Sequence, residues 1–202
     1  MELHLFRHGE TDWNKAGRFQ GQDESRLTEK GVLQAQNLGK KIAGIEFHKI
    51  YCSPSLRTRQ TASYMWPNLT NNIEYIDTLM EINLGPLEGQ FYQDVEKTDP
   101  TSHDHFFNKP HLFNLKGAET FAKLTNRAMT AITEISIEKR NQTVAIVSHG
   151  AFIKAFLTKI DGKEIHQIWD PPYMDNCAHN IVVFKSDDSF QITQIADFKR
   201  RP

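Results

Sequence analysis

The most strand-like run in the chain is residues 143–147, TVAIV, which is apolar at every position after the first. A strand with apolar residues on both faces has to be covered on both, and a largely parallel sheet between helices meets that condition. The run meets Ser148-His149-Gly150 and passes straight into the helical AFIKAFLTKI. The N-terminal stretch has the same layout: Leu3, Leu5 and Phe6 make a short apolar run that stops at Arg7-His8-Gly9. In open α/β sheets, ligands bind outside the carboxyl ends of the strands. A cation, imidazoles and glycines therefore fall where a small anion can dock.

The rest of the chain alternates in the same rhythm. Thr28 is the expected N-cap of a helix running to about Gly44, with Val32, Leu33, Ala35, Leu38 and Ile42 at helical spacing. Residues 47–52 read as a second strand, and Ser53-Pro54 as the start of a second helix that carries Arg57 and ends before Pro67. Residues 73–76 read as a third strand, whose loop leads into LMEINLGPLEG with Glu81 between apolar neighbours. Residues 119–138 are helical by period, and residues 180–184 and 190–195 read as a terminal hairpin-like pair. Only residues 90–115 break the pattern, mixing acids, histidines, prolines and aromatics, and we expect short helices there that cover the crevice. The expected fold is a single domain over residues 1–202. It is a three-layer α/β/α sandwich with a largely parallel central sheet, an antiparallel edge and a helical lid insertion at about 90–116.

Charge excludes some functions. With 24 basic and 25 acidic residues the net charge is −1, so no global field draws the chain to nucleic acid or an anionic membrane. The basic run Lys199-Arg200-Arg201 reads as a solvated tail. Any anion must be attracted by local clustering. The two cysteines, Cys52 and Cys177, form no CxxC pair and favour a reducing compartment. The N-terminus opens on a strand without the pattern of a secretory signal, and no stretch has the apolar length of a membrane span. The expectation is a cytoplasmic protein, and the Asn68-Leu69-Thr70 and Asn141-Gln142-Thr143 sequons then carry no meaning. His103, His105 and His111 with Asp104 lack a helical i, i+4 pair and a nearby cysteine, so no metal is assigned.

Four separated places put a charged or imidazole group just after a strand or at a helix start: Arg7-His8, Arg57, Glu81 and His149. If their strands are neighbours, these groups converge. Two arginines suit a phosphate because a planar guanidinium can bind two oxygens at once.

These blocks resemble the signature of the histidine phosphatase superfamily, the phosphoglycerate-mutase-like proteins. The likeness runs through Arg7-His8-Gly9-Glu10-Thr11, Trp13-Asn14, Gly17-Arg18 and Gln20-Gly21. It continues at Leu27-Thr28-Glu29-Lys30-Gly31, Ser53-Pro54 with Arg57, Gln60-Thr61-Ala62, Glu81-Ile82, Glu88-Gly89, Gly117-Ala118-Glu119-Thr120 and Ser148-His149-Gly150. It covers nearly the whole chain in the family's order. The resemblance implies that His8 is a nucleophile forming a phosphohistidine. Arg7, Arg57 and His149 then hold the phosphoryl oxygens, with Asn14 as an added donor. Glu81 is implied to be the proton donor and later the base, while Gln20, Gly21 and Gly150 line the substrate side. Glu10 is a candidate orienting group and Glu88 a loop cap.

Ser55 and Thr58 depart from the family, where leucine and alanine are common. EINLGPLEG is closer to the phosphatase-like branch, and the chain is short for the segments with which mutases hold a bisphosphate. The implied activity is a phosphatase acting on a small phosphorylated metabolite without metal or cofactor. A cofactor-dependent phosphoglycerate mutase and a non-catalytic phospho-ligand binder are the rival readings. No oligomeric state is assigned.

Overall fold

The computed structural model describes residues 1–69 and 72–200. Thr70, which ends the first sequon, and Arg201, which ends the basic run, lie outside the described residues. Strands β1 (Glu2–Arg7), β2 (Lys49–Cys52), β3 (Ile73–Tyr75), β4 (Thr143–Ser148), β5 (His179–Phe184), β6 (Phe190–Ile195) and β7 (Phe198–Lys199) share one sheet, in the order β3-β2-β4-β1-β5-β6-β7. The first four in that order are mutually parallel, and β5 to β7 extend the β1 side antiparallel. β4 lies between β1 and β2, with Arg7 opposite Ser148 and Cys52 opposite Val147. The strand ends that carry Arg7-His8, Ser53 and His149 are therefore neighbours.

The helices before the sheet's middle strands are α1 (Asp12–Ala16), α2 (Glu29–Lys41) and α3 (Leu56–Met65). Alternation along β1 and β4 sorts the core into two layers. Phe6, Ala145 and Val147 face α2 and α3, packing with Ala35, Leu38, Ala62 and Met65. Leu3, Leu5, Val144 and Ile146 face the opposite layer. There they meet Leu124, Ile132, Phe152 and Phe156 of the two later helices that cover this face. Burial on both faces is why TVAIV needs no polar position.

The segment expected to form a lid holds α4 (Tyr92–Thr98) and α5 (Pro100–Phe107), followed by a 3-10 turn at Pro110–Leu112. Asp99 caps α5 by accepting from the Ser102 N–H at 3.0 Å, with Pro100 at its first position. The covering helices are α6 (Phe121–Glu138), capped by Thr120, and α7 (Gly150–Ile160).

One sequence expectation needs correction, and one element was unforeseen. Helix α3 begins at Leu56, not at Ser53-Pro54. Ser53, just past the end of β2, still bonds to β4, its N–H donating to the Val147 carbonyl at 2.9 Å. Helix α1 was not anticipated, because five residues are too few to show a period. It is specified by caps: Thr11 and Asn14 form a capping box, and Gly17 closes the helix at φ 70°.

The loop after β1 requires two glycines facing one another. A Cβ on Gly9 would lie 2.6 Å from the Gly31 carbonyl oxygen, and one on Gly31 would lie 2.1 Å from that of Glu10. Two separate sequence blocks are thus one close backbone approach. Among the described residues no helix is long and apolar enough to cross a membrane.

Candidate active site

His8 sits where β1 ends and is 3% exposed. Its backbone is pinned on both sides, its N–H donating to the Ser148 carbonyl and its own carbonyl accepting from Cys177 N–H, each at 3.1 Å. The ring Nδ1 lies 2.8 Å from the Gly9 carbonyl oxygen, which can only accept. Nδ1 therefore carries the hydrogen, and the Nε2 lone pair is free. Burial, with the positive charges of Arg57 and Arg7, holds the His8 pKa well below the usual imidazole range. The ring is neutral near pH 7.

Behind His8 lie two fully buried side chains, Arg57 and His149. Arg57 donates from Nη1 to the Asp23 carbonyl at 2.8 Å and from Nη2 to the Gly21 carbonyl at 2.6 Å. Burial lowers its pKa to about 10, which leaves it a cation at neutral pH. His149 Nε2 is 2.8 Å from Ser53 Oγ, and its ring centre lies 5.4 Å from that of His8. Burial, with Arg57 foremost among nearby positive charges, keeps its pKa low as well. Ser55 and Thr58, the two departures from the family pattern, bond each other at 2.8 Å beside this histidine. They leave Arg57 in place.

Arg7 donates from Nη1 to the Met174 carbonyl. Its Nε, the Nε of Arg57 and the Nδ1 of His149 are the buried side-chain nitrogens or oxygens without a partner among the described residues. Buried polar groups in folded proteins are almost always paired. Here three nitrogens on three elements, all beside one neutral imidazole, are unpaired together.

His8 opens on a cavity of about 420 Å³ whose lining includes Arg7, Asn14, Gln20, Gly21, Glu81 and Gly150. Asn14 Oδ1 accepts from Thr11 N–H at 3.2 Å and from Asn176 Nδ2 at 3.1 Å, so its amide NH₂ remains for the cavity. Gln20 Oε1 likewise accepts from Ser25 Oγ at 2.8 Å. Gly21 stands at φ 55°, and a Cβ there would lie 2.0 Å from Glu88 Oε1. Of the nine residues assigned from sequence to catalysis or substrate binding, Arg57 and His149 are the two that do not line the cavity. They back its inner wall.

Glu81 spans the gap to the N-terminus of α7. Its Oε2 accepts from Ala151 N–H at 3.0 Å, and its Oε1 from Phe152 N–H at 2.9 Å and Ile82 N–H at 3.0 Å. It thus caps the helix as an acceptor. Its loop is held by Arg127, which donates to the carbonyls of Thr78, Met80 and Glu81 at 2.6 to 3.1 Å while forking onto Glu119.

The remaining candidates have local roles. Glu10 accepts from Thr28 Oγ1 at 2.9 Å and pairs with Lys30 at 2.7 Å, tying the loop to α2. Glu88 accepts from the backbone N–H groups of Gln22, Asp23 and Leu84. Asp104 pairs with Lys109, His103 packs on Phe107 and His111 on His166, so the three lid histidines do not converge. Among the described residues no three His, Cys, Asp or Glu side chains could hold a metal ion. The lid aromatics divide: Phe113 joins the core, Phe107 and Tyr92 line the cavity, and Phe106 does both. Phe91 lies under the Arg18 guanidinium, 3.8 Å from it.

Sequence reasoning missed Asn176, Arg127, Lys154 and Asp175. Asn176 and Asp175 carry no pattern, being loop residues brought in by the chain before β5. Lys154 did leave a signal, as the lone charge in the otherwise apolar AFIKAFL.

Fold and site together define an α/β protein with a cationic, imidazole-bearing pocket at the ends of parallel strands. The chain belongs to the histidine phosphatase superfamily (branch 1), whose family model it matches over residues 3–197. It is 30% identical over 184 residues to phosphoserine phosphatase 1 of Hydrogenobacter thermophilus, spanning 90% of this chain and 86% of that one. It is 32% identical over 165 residues to a metal-independent phosphoserine phosphatase of Arabidopsis thaliana, spanning 79% and 68%. Among solved structures it resembles Bacillus stearothermophilus YhfR, with a TM-score of 0.92, 34% identity and coverage of 97% and 96%. Phosphatases of this kind among its relatives support a phosphatase enzyme.

Proposed function

We propose that this protein is a metal-independent phosphatase that hydrolyses small phosphomonoesters through a phosphohistidine on His8. The carrying observation is the set of unpaired nitrogens on Arg7, Arg57 and His149 around a neutral His8. A phosphoryl group pressed against the inner wall would accept from Arg7 and from Arg57 and His149 behind it, with His149 carrying its hydrogen on Nδ1 and accepting from Ser53 Oγ at Nε2. Phosphoryl transfer depends mostly on positioning and charge stabilisation, which fixed cations supply.

In the first step the Nε2 lone pair of His8 attacks phosphorus, and the P–O bond to the alcohol breaks. The departing oxygen takes a proton from Glu81. In the second, Glu81 takes a proton from water, whose oxygen attacks phosphorus and releases His8 with inorganic phosphate. To start the cycle Glu81 must take up a proton and turn at least one oxygen away from the α7 amides. Residues 90–116 act as the lid that keeps bulk water out.

The test is to quench turnover and look for acid-labile protein-bound phosphate. It is expected in the wild type and absent in His8→Ala, with activity unaffected by chelator. Phosphate binding without turnover would make the protein a binder instead. Stimulation by bisphosphoglycerate, with interconversion of 2- and 3-phosphoglycerate, would make it a mutase.

A further inference from the structure

The block Gly117-Ala118-Glu119-Thr120 is shared with the family, yet none of it lines the cavity. Thr120 caps α6, and Glu119 just before it pairs with Arg127 of that helix. The pair is a fork: Arg127 Nε donates to Glu119 Oε1 at 3.0 Å, and Nη2 donates to Oε2 at 2.7 Å. A guanidinium has five N–H donors, and an ion pair that only tied Glu119 to α6 would use two. Here the other three all go to one loop. Nη1 donates to the carbonyls of Thr78 at 3.0 Å and Met80 at 2.6 Å, and Nη2 to that of Glu81 at 3.1 Å.

Residues 80–84 lie between the 3-10 turns Asp77–Leu79 and Gly85–Leu87, with no helix or strand of their own. Their backbone is held by the side chains that reach it. The Met80 carbonyl belongs to the peptide plane before the Glu81 Cα, and the Glu81 carbonyl to the plane after it. Holding both planes fixes the backbone dihedrals of Glu81 and leaves its side-chain torsions free. Glu119 anchors the next turn of chain, its Oε2 accepting from Asn83 N–H at 3.2 Å and its own N–H donating to the Asn83 carbonyl at 2.7 Å. Gly117 presses on the same segment: a Cβ on Gly85 would lie 2.5 Å from the Gly117 carbonyl oxygen.

The reaction calls for this division between fixed and free. Glu81 caps α7 with both oxygens and has to release at least one to reach the leaving group. A carboxyl that swings on a moving backbone loses its aim, and a misplacement of about 1 Å can cost about 100-fold in rate. We propose that Arg127, gripped by Glu119, is the positioning residue for this acid, holding the Glu81 backbone still while the carboxyl turns between the α7 amides and the leaving oxygen. The assignment rests on the phosphatase reading above. It makes Arg127 and Glu81 one working unit, although Arg127 does not line the cavity.

The experiment compares glycerol 3-phosphate with p-nitrophenyl phosphate in Arg127→Met, Arg127→Lys, Glu119→Gln, Glu81→Gln and the double variant of Arg127→Met with Glu81→Gln. Arg127→Met is expected to lower kcat on the alkyl phosphate by about 10- to 100-fold with KM little changed, and on p-nitrophenyl phosphate by less than about 3-fold, because a phenolate leaves unaided. Arg127→Lys keeps the charge without the fork and should recover part of the loss. In the Glu81→Gln background, Arg127→Met should cost nothing more on the alkyl phosphate, since residues that act as a unit are not additive. Equal losses on both substrates, or losses that multiply in the double variant, would overturn the assignment and leave the clamp as part of the fold alone. If Arg127→Met does not melt cooperatively, Glu119→Gln decides: a smaller split in the same direction supports the proposal, and an even loss defeats it. Absence of His8-dependent hydrolysis of p-nitrophenyl phosphate in the wild type defeats the phosphatase reading, whereas normal hydrolysis with no split in Arg127→Met defeats only the role of Arg127.

Discussion

The inner and outer ends of the cavity are built on different principles. At the inner end, Arg7, His8 and His149 sit at the ends of adjacent parallel strands, and backbone carbonyls or serine hydroxyls hold every group in one orientation. At the outer end the wall is aromatic, with Phe19, Phe106 and Phe107 meeting ring to ring at 4.9 to 5.7 Å. Such contacts are favourable over a range of geometries. Rigid polar placement suits a group whose shape never changes, and an adaptable apolar wall suits a leaving group that differs between relatives. The difference predicts that inner-end substitutions lower rate on all substrates, while outer-end substitutions reorder them.

Removing His8, the proposed nucleophile, tests the inner end most severely. His8→Ala is expected to lower kcat by about 10⁴-fold or more on every substrate, measured as phosphate release. Comparable losses with only some substrates would break the comparison at its root. Glu81 stands at the boundary, so Glu81→Gln should divide substrates by leaving group. Alkyl phosphates should slow by about 100- to 10,000-fold and p-nitrophenyl phosphate far less, because a phenolate leaves without help. Equal losses would mean that Glu81 serves only as the cap of α7. Arg57→Lys keeps the charge but loses the fork that holds Gly21 and Asp23. An activity loss of about 100- to 1,000-fold is expected, together with a lower Tm in a thermal melt.

The inner end and the buried His4–His179 pair between β1 and β5 should both be acid-sensitive. His4, His8, His149 and His179 are buried, with burial the largest cause holding each below the ordinary imidazole pKa, His179 at about 4. As pH falls below about 6.5 the unfolded chain binds protons that the folded chain refuses, so stability present above that value is lost progressively below it. Tm followed from pH 8 to pH 5 should fall along that limb, and a flat profile would contradict the neutral-imidazole site. The smallest effect belongs to the outer wall. Trp169 Nε1 donates to the Phe106 carbonyl at 2.6 Å, and Trp169→Phe should cost about 1 kcal/mol in stability and shift KM unequally across a substrate panel.

Much of the inner end could be read in the chain because short, local signals mark it. A strand that stops at Arg7-His8-Gly9 or Ser148-His149-Gly150 announces both its end and its chemistry. Arg57 was separable from Arg59 only through the resemblance. The structure agrees in burial, with Arg57 inside and Arg59 exposed, its guanidinium over Tyr75. The outer end was illegible for the opposite reason. Phe106 and Phe113 sit in the same irregular segment, yet one borders the cavity and the other does not. Nothing in composition or period separates them, since which ring meets the cavity depends on how α5 packs on Phe121 and Trp169.

The amino-acid sequence by itself determined the alternation of strands and helices, the largely parallel sheet and the residues that cluster at its strand ends. These follow from periodicity and from the places where apolar runs break, both of which are local. Only the tertiary structure decided that β4 lies between β1 and β2, and that Arg57 and His149 back the wall instead of lining it. It alone put Lys154 on the cavity. Those outcomes depend on pairing between segments far apart in the chain, where the energy lies in burial and hydrogen bonds that no single stretch contains.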